Sequence, residues 1–283
     1  MSTTLAKEKS KFEQGEPSEE LKPWLRRFGR FGHMVKGSVY TMLGLLAFMA
    51  SIGAGGKAQG TKGLFQSLAS IPMGEVLLWI IGTGLIGYIA WVIIKSVFNT
   101  SNLGKSVSGM ITRIGYIIGA GIYGGLALNA FQIAMHAGSG ERNAEQTMSA
   151  MLLRQPFGPW LVSGIGAIIV GYGLFELYSG MTKKFLGKFN LQKMNEHERK
   201  AAEKSGKIGL ISRGVVLALI GIFFIQTALS SNPGEAKGLD GALAEVSQQP
   251  FGQWLLGITA LGLTLYGVYE ITRGRYERMS FGK

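Results

Sequence analysis

"QPFG" stands at residues 155–158 and again at 249–252, and a looser "IPMG" stands at 71–74. Each phrase comes directly before a long apolar run. Proline or glycine near the start of a helix is common. The same Pro-x-Gly in the same context three times indicates a repeated unit, with spacings long enough for two membrane helices and their loops.

The apolar residues of the chain are gathered into long blocks. A bilayer span needs about 20 mostly apolar residues, because only a helix satisfies its own backbone hydrogen bonds in lipid. The blocks therefore predict six transmembrane helices. They run over roughly 35–52, 75–98, 110–135, 159–180, 208–230 and 253–272.

The charge distribution predicts the orientation. The chain has 29 Lys and Arg against 17 Asp and Glu, a net charge of +12. Most of the cations fall on one side of the membrane if the amino terminus is inside, so both termini are predicted to be cytoplasmic. The bilayer, and anionic lipids at the cytoplasmic face, are then the expected partners. No nucleic-acid partner is predicted, because the sequence has no compact basic domain with interleaved aromatic residues.

Alignment on the Pro-x-Gly phrase brings the rest of the chain into register. Each unit contains two crossings, so all three start on the same side, and such repeats are related by an axis along the membrane normal. The predicted fold is an all-α membrane protein of three parallel hairpins around a pseudo-threefold axis. Its first helices open with "RFGHMVKGSVY" (30–40), "RIGYIIGAGIY" (113–123) and "KIGLISRGVVL" (207–217), and its second helices close with "GYIAWVIIK" (87–95), "GYGLFELYS" (171–179) and "LYGVYEITR" (265–273).

These signals divide the chain into six parts. A disordered cytoplasmic tail over 1–27 and a second tail over 277–283 flank repeats at 28–100, 108–180 and 207–276, with a basic cytoplasmic linker over 181–206.

Short segments outside the spans also have helical patterns. The outer loops have weak helical spacing before each proline, which predicts short interfacial helices with the proline in the first turn of the next span. In the linker, Asn195 and Glu198 have capping-box spacing. With Phe185 and Phe189 among lysines, they predict a basic amphipathic surface helix.

The repeated motifs resemble a known family. The basic-x-Gly opening, the outer Pro-Phe-Gly turn and the Gly-Tyr closing are similar to the bacterial membrane family called domain of unknown function 1206, over roughly 28–276. The chain departs from the pattern at Gly119, Ala120, Leu217 and Met73. The resemblance implies a six-span protein of a bacterial inner membrane, and it implies no activity.

Two glycine motifs fit the dinucleotide fingerprint G-x-G-x-x-G, "GTGLIG" at 82–87 and "GAGIYG" at 119–124. That fingerprint works only between a strand and a helix start, whereas both motifs lie inside predicted spans. Close helix packing through small residues is the favoured interpretation, for example through Gly115 and Gly119 or Gly121 and Gly125. "NTSNLGKS" at 99–106 lacks the first glycine of a P-loop and is rejected.

No catalytic constellation is recognised in the sequence. There is no Cys, the only Asp is Asp240, and His33, His136 and His197 are scattered over both predicted membrane faces. An isolated His at a helix end is usually an interfacial polar residue. The sequence therefore predicts no enzyme, metal site or cofactor.

Ionisable residues inside spans are costly and normally face a partner or a cavity. The repeats align them into two columns near the cytoplasmic ends of the helices. Pairing within a repeat, or with the following repeat, would strand two charges. Pairing each basic position with the preceding repeat, taken cyclically, strands none. The first column is Lys36, Gly119 and Arg213, the second is Val92, Glu176 and Glu270, and the predicted pairs are Lys36 with Glu270 and Arg213 with Glu176.

Two interpretations of these residues stay open: structural ion pairs, or an ion or proton site at Glu176 and Glu270. Tyr88, Tyr172 and Tyr266 form another aligned set, which either rings the axis with hydroxyls or consists of aromatic-belt or packing residues. Three amides, Asn129, Gln132 and Gln226, could bond across helices or line a cavity.

Two functional hypotheses follow. The first is a protein that handles a small solute, ion or lipid at a site between the three hairpins. The alternative is a non-transporting structural or regulatory component that binds anionic lipid or a partner protein. A homo-oligomer is compatible with both.

Overall fold

The computed structural model describes residues 21–54, 60–97, 107–135 and 144–278. The predicted tail up to residue 20, the segment 99–106, His136 and the last five residues lie outside these ranges. The nine α-helices of the described residues are α1 Leu21–Ser51, α2 Thr61–Ala69, α3 Gly74–Val97, α4 Val107–Ala134, α5 Ala144–Leu153, α6 Gly158–Thr182, α7 Glu196–Ser230, α8 Leu239–Gln248 and α9 Gly252–Tyr276.

Five of these helices, α1, α3, α6, α7 and α9, are long and apolar enough to cross a membrane. The sixth predicted segment lies in α4, which has 28 residues. Two helices begin earlier than their apolar segments suggest. α1 starts at Leu21, inside the predicted disordered tail, and α7 starts at Glu196 because the capping box of Asn195 and Glu198 begins it there.

The Pro-x-Gly phrase forms the same turn in all three repeats. The residue between proline and glycine is left-handed each time, with φ of 63° at Met73, 65° at Phe157 and 62° at Phe251. The Gly158 amide donates to the Gln155 carbonyl oxygen at 2.9 Å, which is the bond of a type II turn. The predicted position of the proline in the first helical turn was therefore wrong, because each helix begins at the glycine after it.

The first helix of each repeat packs on the second helix of the preceding repeat: α1 on α9, α4 on α3, and α7 on α6. Glycines allow the close approach in two of these pairs. A Cβ at Gly37 would lie 2.6 Å from the Gly267 carbonyl oxygen, and one at Gly214 would lie 2.7 Å from that of Gly173. Within repeats, α1 packs on α3 and α7 on α9, whereas the described residues of α4 and α6 make at most marginal contact.

The two glycine fingerprints therefore differ in the structure. The glycines of "GTGLIG" pack closely against neighbouring helices, and a Cβ at Gly82 would meet the Phe131 ring at 2.5 Å. The glycines of "GAGIYG" do not, because a Cβ at Gly119, Gly121 or Gly124 would have no neighbour within 4 Å among the described residues. Close packing was thus the right interpretation for the first motif and the wrong one for the second.

The half of the bundle that carries the Pro-x-Gly turns, which we call the outer half after the predicted orientation, is an apolar core. The predicted outer helices are present as α2, α5 and α8. Leu64 and Phe65 of α2 and Leu243 of α8 are buried against the spans. Met148 and Met151 of α5 are exposed instead.

The linker closes the opposite end of the bundle, which we call the inner end after the predicted orientation. Phe185 and Phe189, predicted beside a surface helix, are fully buried and contact the Tyr269 ring edge-on at 5.4 and 5.8 Å. The Phe189 backbone also forms a bridge with Glu277. The separate surface helix was a wrong prediction, because the capped segment continues into the α7 span as a single helix.

Substituting Ala at Gly214 should destabilise the protein by about 1–3 kcal/mol, because the added methyl group overpacks the contact between α6 and α7. The matched variant Gly121→Ala should leave stability unchanged or raise it by up to about 1 kcal/mol, since its methyl group meets open space. Thermal unfolding of both variants in the same detergent measures the difference. Equal unfolding temperatures for the two variants would contradict the packing described above.

Candidate functional site: a buried ion-pair network

Both sequence-predicted pairs are in contact at the inner half of the bundle. The Lys36 ammonium donates to Glu270 Oε1 at 3.3 Å and to the Tyr88 hydroxyl at 3.1 Å. The Arg213 guanidinium donates to Glu176. All four ionic side chains are less than a tenth exposed. Each pair joins the first helix of one repeat to the second helix of the repeat before it.

Tyr266 connects the two pairs. Its hydroxyl donates to Glu270 Oε1 at 2.7 Å. Its ring centroid lies 4.8 Å from the Arg213 guanidinium and 5.3 Å from the Lys36 ammonium. An aromatic face at this distance attracts a desolvated cation, so one side chain stabilises both cations and one of the carboxylates.

The network extends further than the sequence indicated. His33 Nδ1 lies 2.7 Å from Glu270 Oε2, and His33 Nε2 lies 3.0 Å from Glu277 Oε2. Arg273 donates to Glu270 and Glu277, at 3.0 Å in each case. The interpretation of His33 as an isolated interfacial residue was wrong, because it is buried between two carboxylates. Its spacing from Lys36, about one helical turn earlier on the same face, was the available signal.

Two further tyrosines belong to the site. The Lys36 ammonium lies 4.9 Å from the Tyr123 ring centroid, and the Arg213 guanidinium lies 5.8 Å from that of Tyr40. The two hydroxyls are 3.3 Å apart. Tyr40 and Tyr123 share one position of the repeated opening motif, which was the signal for them in the sequence.

A cavity lies beside this network and is lined by all three aligned tyrosines, Tyr88, Tyr172 and Tyr266, and by both paired carboxylates. It contains about 540 Å³ of non-atom space, the open solvent at its mouth included. The cavity volume open to water molecules is about 40 Å³, which is enough for about three waters. The site is therefore suited to a small polar group.

Glu176 gives the cavity an unused acceptor. One carboxylate oxygen receives the Arg213 bond, while Oε2 is buried and has no hydrogen-bond partner among the described residues. Burying such an atom without a partner is costly, so a donor that reached Oε2 would stabilise the site.

The predicted amides lie elsewhere. Gln132 and Gln226 are exposed near the outer ends of α4 and α7, and Asn129 is half-buried on α4. None of the three lines the described cavity. The described residues also include no group of three His, Asp or Glu arranged to hold a metal ion, so we assign no cofactor ligands.

Comparison with known proteins places the repeats in a family. The sequence matches the family described as Domain of Unknown Function (DUF1206) three times, over 31–99, 114–183 and 208–277. It is also 40% identical to the "Uncharacterized protein YxxB" of Bacillus subtilis (strain 168), over 94% of this chain and 96% of that protein. No solved structure matches the chain. The resemblance inferred from the repeated motifs is confirmed.

Removing one partner of a buried pair should cost more than removing both. Arg213→Met leaves the Glu176 carboxylate uncompensated and should cost about 3–5 kcal/mol. The double variant Arg213→Met with Glu176→Gln should recover part of that loss. Unfolding in detergent measures both variants.

The exposed pair of Lys200 and Glu196 supplies the control, since Lys200→Met should cost no more than about 1 kcal/mol. A cost for Arg213→Met as small as that of the control would show that the inner pair does not hold the repeats together.

Proposed function

Since the chain belongs to the Domain of Unknown Function (DUF1206) family, for which no activity is indicated, we propose a function from its own geometry. The protein is a six-span membrane protein that binds a small solute, ion or lipid headgroup in the cavity at its inner half. The observation that carries this proposal is the cavity itself, which brings together the three aligned tyrosines and both paired carboxylates.

The six-span arrangement is supported by the repeats. Five helices meet the length and hydropathy expected of a span, and α4 occupies in the second repeat the place that α1 and α7 occupy in the others. Because each repeat crosses twice, the three hairpins are parallel around a pseudo-threefold axis. The excess of Lys and Arg around the inner ends supports a bacterial cell-membrane protein with both termini in the cytoplasm.

Binding is favoured over passage through the protein because the two halves of the bundle differ. The charged groups and the cavity lie at the inner half. The outer half is closed by apolar side chains such as Ala47, Leu256 and Leu263, each at most 4% exposed. A polar solute that crossed this core would lose its hydrogen bonds there. The cavity therefore serves a ligand that enters and leaves on one side.

The chain contains no Cys, so single cysteines test the site directly. Ser179→Cys lines the cavity and should react with a small, water-soluble thiol reagent in the folded protein. Ala260→Cys, buried in the outer core at 0% exposure, should not react until the protein is denatured. If Ser179→Cys is as inert as Ala260→Cys, the cavity is closed to solutes and the proposal fails.

The orientation of the protein in the membrane can be tested by adding a membrane-impermeant thiol reagent to right-side-out and to inside-out vesicles. Lys188→Cys, in the linker, should be labelled only when the inner face is outside. Ser247→Cys, exposed in α8, should be labelled only in right-side-out vesicles. The reverse pattern would place the cavity at the outer face of the membrane.

A further inference from the structure

The second repeat leaves a gap in the ring of spans. Neighbouring helices pack around the bundle from α6 through α7, α9, α1 and α3 to α4, whereas the described residues of α4 and α6 make at most marginal contact. α6 is also the least covered candidate span, with 28% of its apolar stretch buried against 44–50% for the other four. We call this gap between α4 and α6 the lateral opening.

The lateral opening leads to the cavity. Tyr116 of α4 and Tyr172, Phe175 and Glu176 of α6 all line the cavity. The two helices carry glycines around the opening, and a Cβ at Gly119 or at Gly171 would meet no atom of the described part of the chain within 4 Å. In a membrane, such a gap between two spans faces the acyl chains of lipids.

The charges around the cavity select the headgroup. The described buried network contains three cations, three carboxylates and an imidazole between two of the carboxylates: Lys36, Arg213 and Arg273, then Glu176, Glu270 and Glu277, and His33. The exposed Lys188, which also lines the cavity, adds a positive charge at its cytoplasmic end. A ligand with one negative charge complements this arrangement.

The unpartnered carboxylate oxygen of Glu176 narrows the choice of headgroup further. Glu176 Oε2 is buried without a partner and belongs to a residue of the cavity wall. A ligand that carries a hydrogen-bond donor would satisfy this oxygen. A headgroup with a phosphate and free hydroxyls supplies both features, because the phosphate suits Lys188 and a hydroxyl suits the carboxylate.

From these observations we propose that the cavity binds the headgroup of a phosphatidylglycerol molecule that enters through the lateral opening with its acyl chains between α4 and α6. This inference rests on the proposed function and names its ligand. The ligand is a membrane lipid, because the lateral opening faces the bilayer and provides an apolar path for acyl chains.

Native mass spectrometry of the delipidated protein tests this proposal. Phosphatidylglycerol should bind at least about tenfold more tightly than phosphatidylcholine of the same acyl chains, since only the former offers hydroxyl donors and a net negative charge. Equal affinities would overturn the proposal. Preference for phosphatidylethanolamine, or equal binding of the free headgroup glycerophosphoglycerol, would also overturn it in favour of another lipid or a soluble ligand.

Variants separate the two parts of the site. Lys188→Gln should weaken phosphatidylglycerol binding about tenfold, whereas Lys204→Gln, an exposed cation of α7 outside the cavity lining, should leave it unchanged. Gly171→Leu should weaken binding by filling the lateral opening. Leu is compatible with the fold there, because Leu265 holds the equivalent position in the third repeat.

The failures of the two proposals are distinguishable. If Ser179→Cys reacts with the thiol reagent but phosphatidylglycerol shows no preference, the cavity is a solute site and only the lipid proposal fails. If Ser179→Cys is inert, both fail. Equal lipid affinities for Lys188→Gln and Lys204→Gln would overturn the role of the cavity in lipid binding, even if the protein binds lipid elsewhere.

Discussion

The architecture depends on the need to neutralise charge inside an apolar bundle. A buried ammonium or carboxylate without a partner costs several kcal/mol, so each charged helix must lie against a helix with the opposite charge. In this chain the partners belong to different repeats: Lys36 meets Glu270, and Arg213 meets Glu176. The same two helix pairs make the close glycine contacts. Electrostatics and packing therefore select the same neighbours and join the first repeat to the third.

The arrangement of charges also divides the bundle along its axis. At the inner half, Tyr266 links the two ion pairs, and His33, Arg273 and Glu277 extend them. At the outer half, aliphatic side chains pack against one another beneath α2 and α8. Polar and apolar layers are therefore stacked along the bundle, and the cavity belongs to the polar layer.

Much of the fold and part of the site could be predicted from the sequence. The two ion pairs could be predicted because the aligned columns, each with one uncharged member, allow only one cyclic pairing that leaves no charge without a partner. His33 and Glu277 were missed because neither residue belongs to the two aligned columns of charged positions, and because the two lie far apart in sequence. The openness around Gly119 and Gly121 was also missed, since a small-residue pattern permits close approach and cannot by itself show that a neighbour is there.

The position of Gly119 has a consequence for how such a protein can evolve. An assembly of three identical hairpins would repeat every interface, so a cation lost from one would be lost from all. Fusion into a single chain removes that restraint. Here two interfaces keep a charged pair, while the third, with Gly119 and Val92 in the matching places, needs none. A single chain can therefore lose the charged pair from one interface while the two helices of that interface, α3 and α4, stay packed.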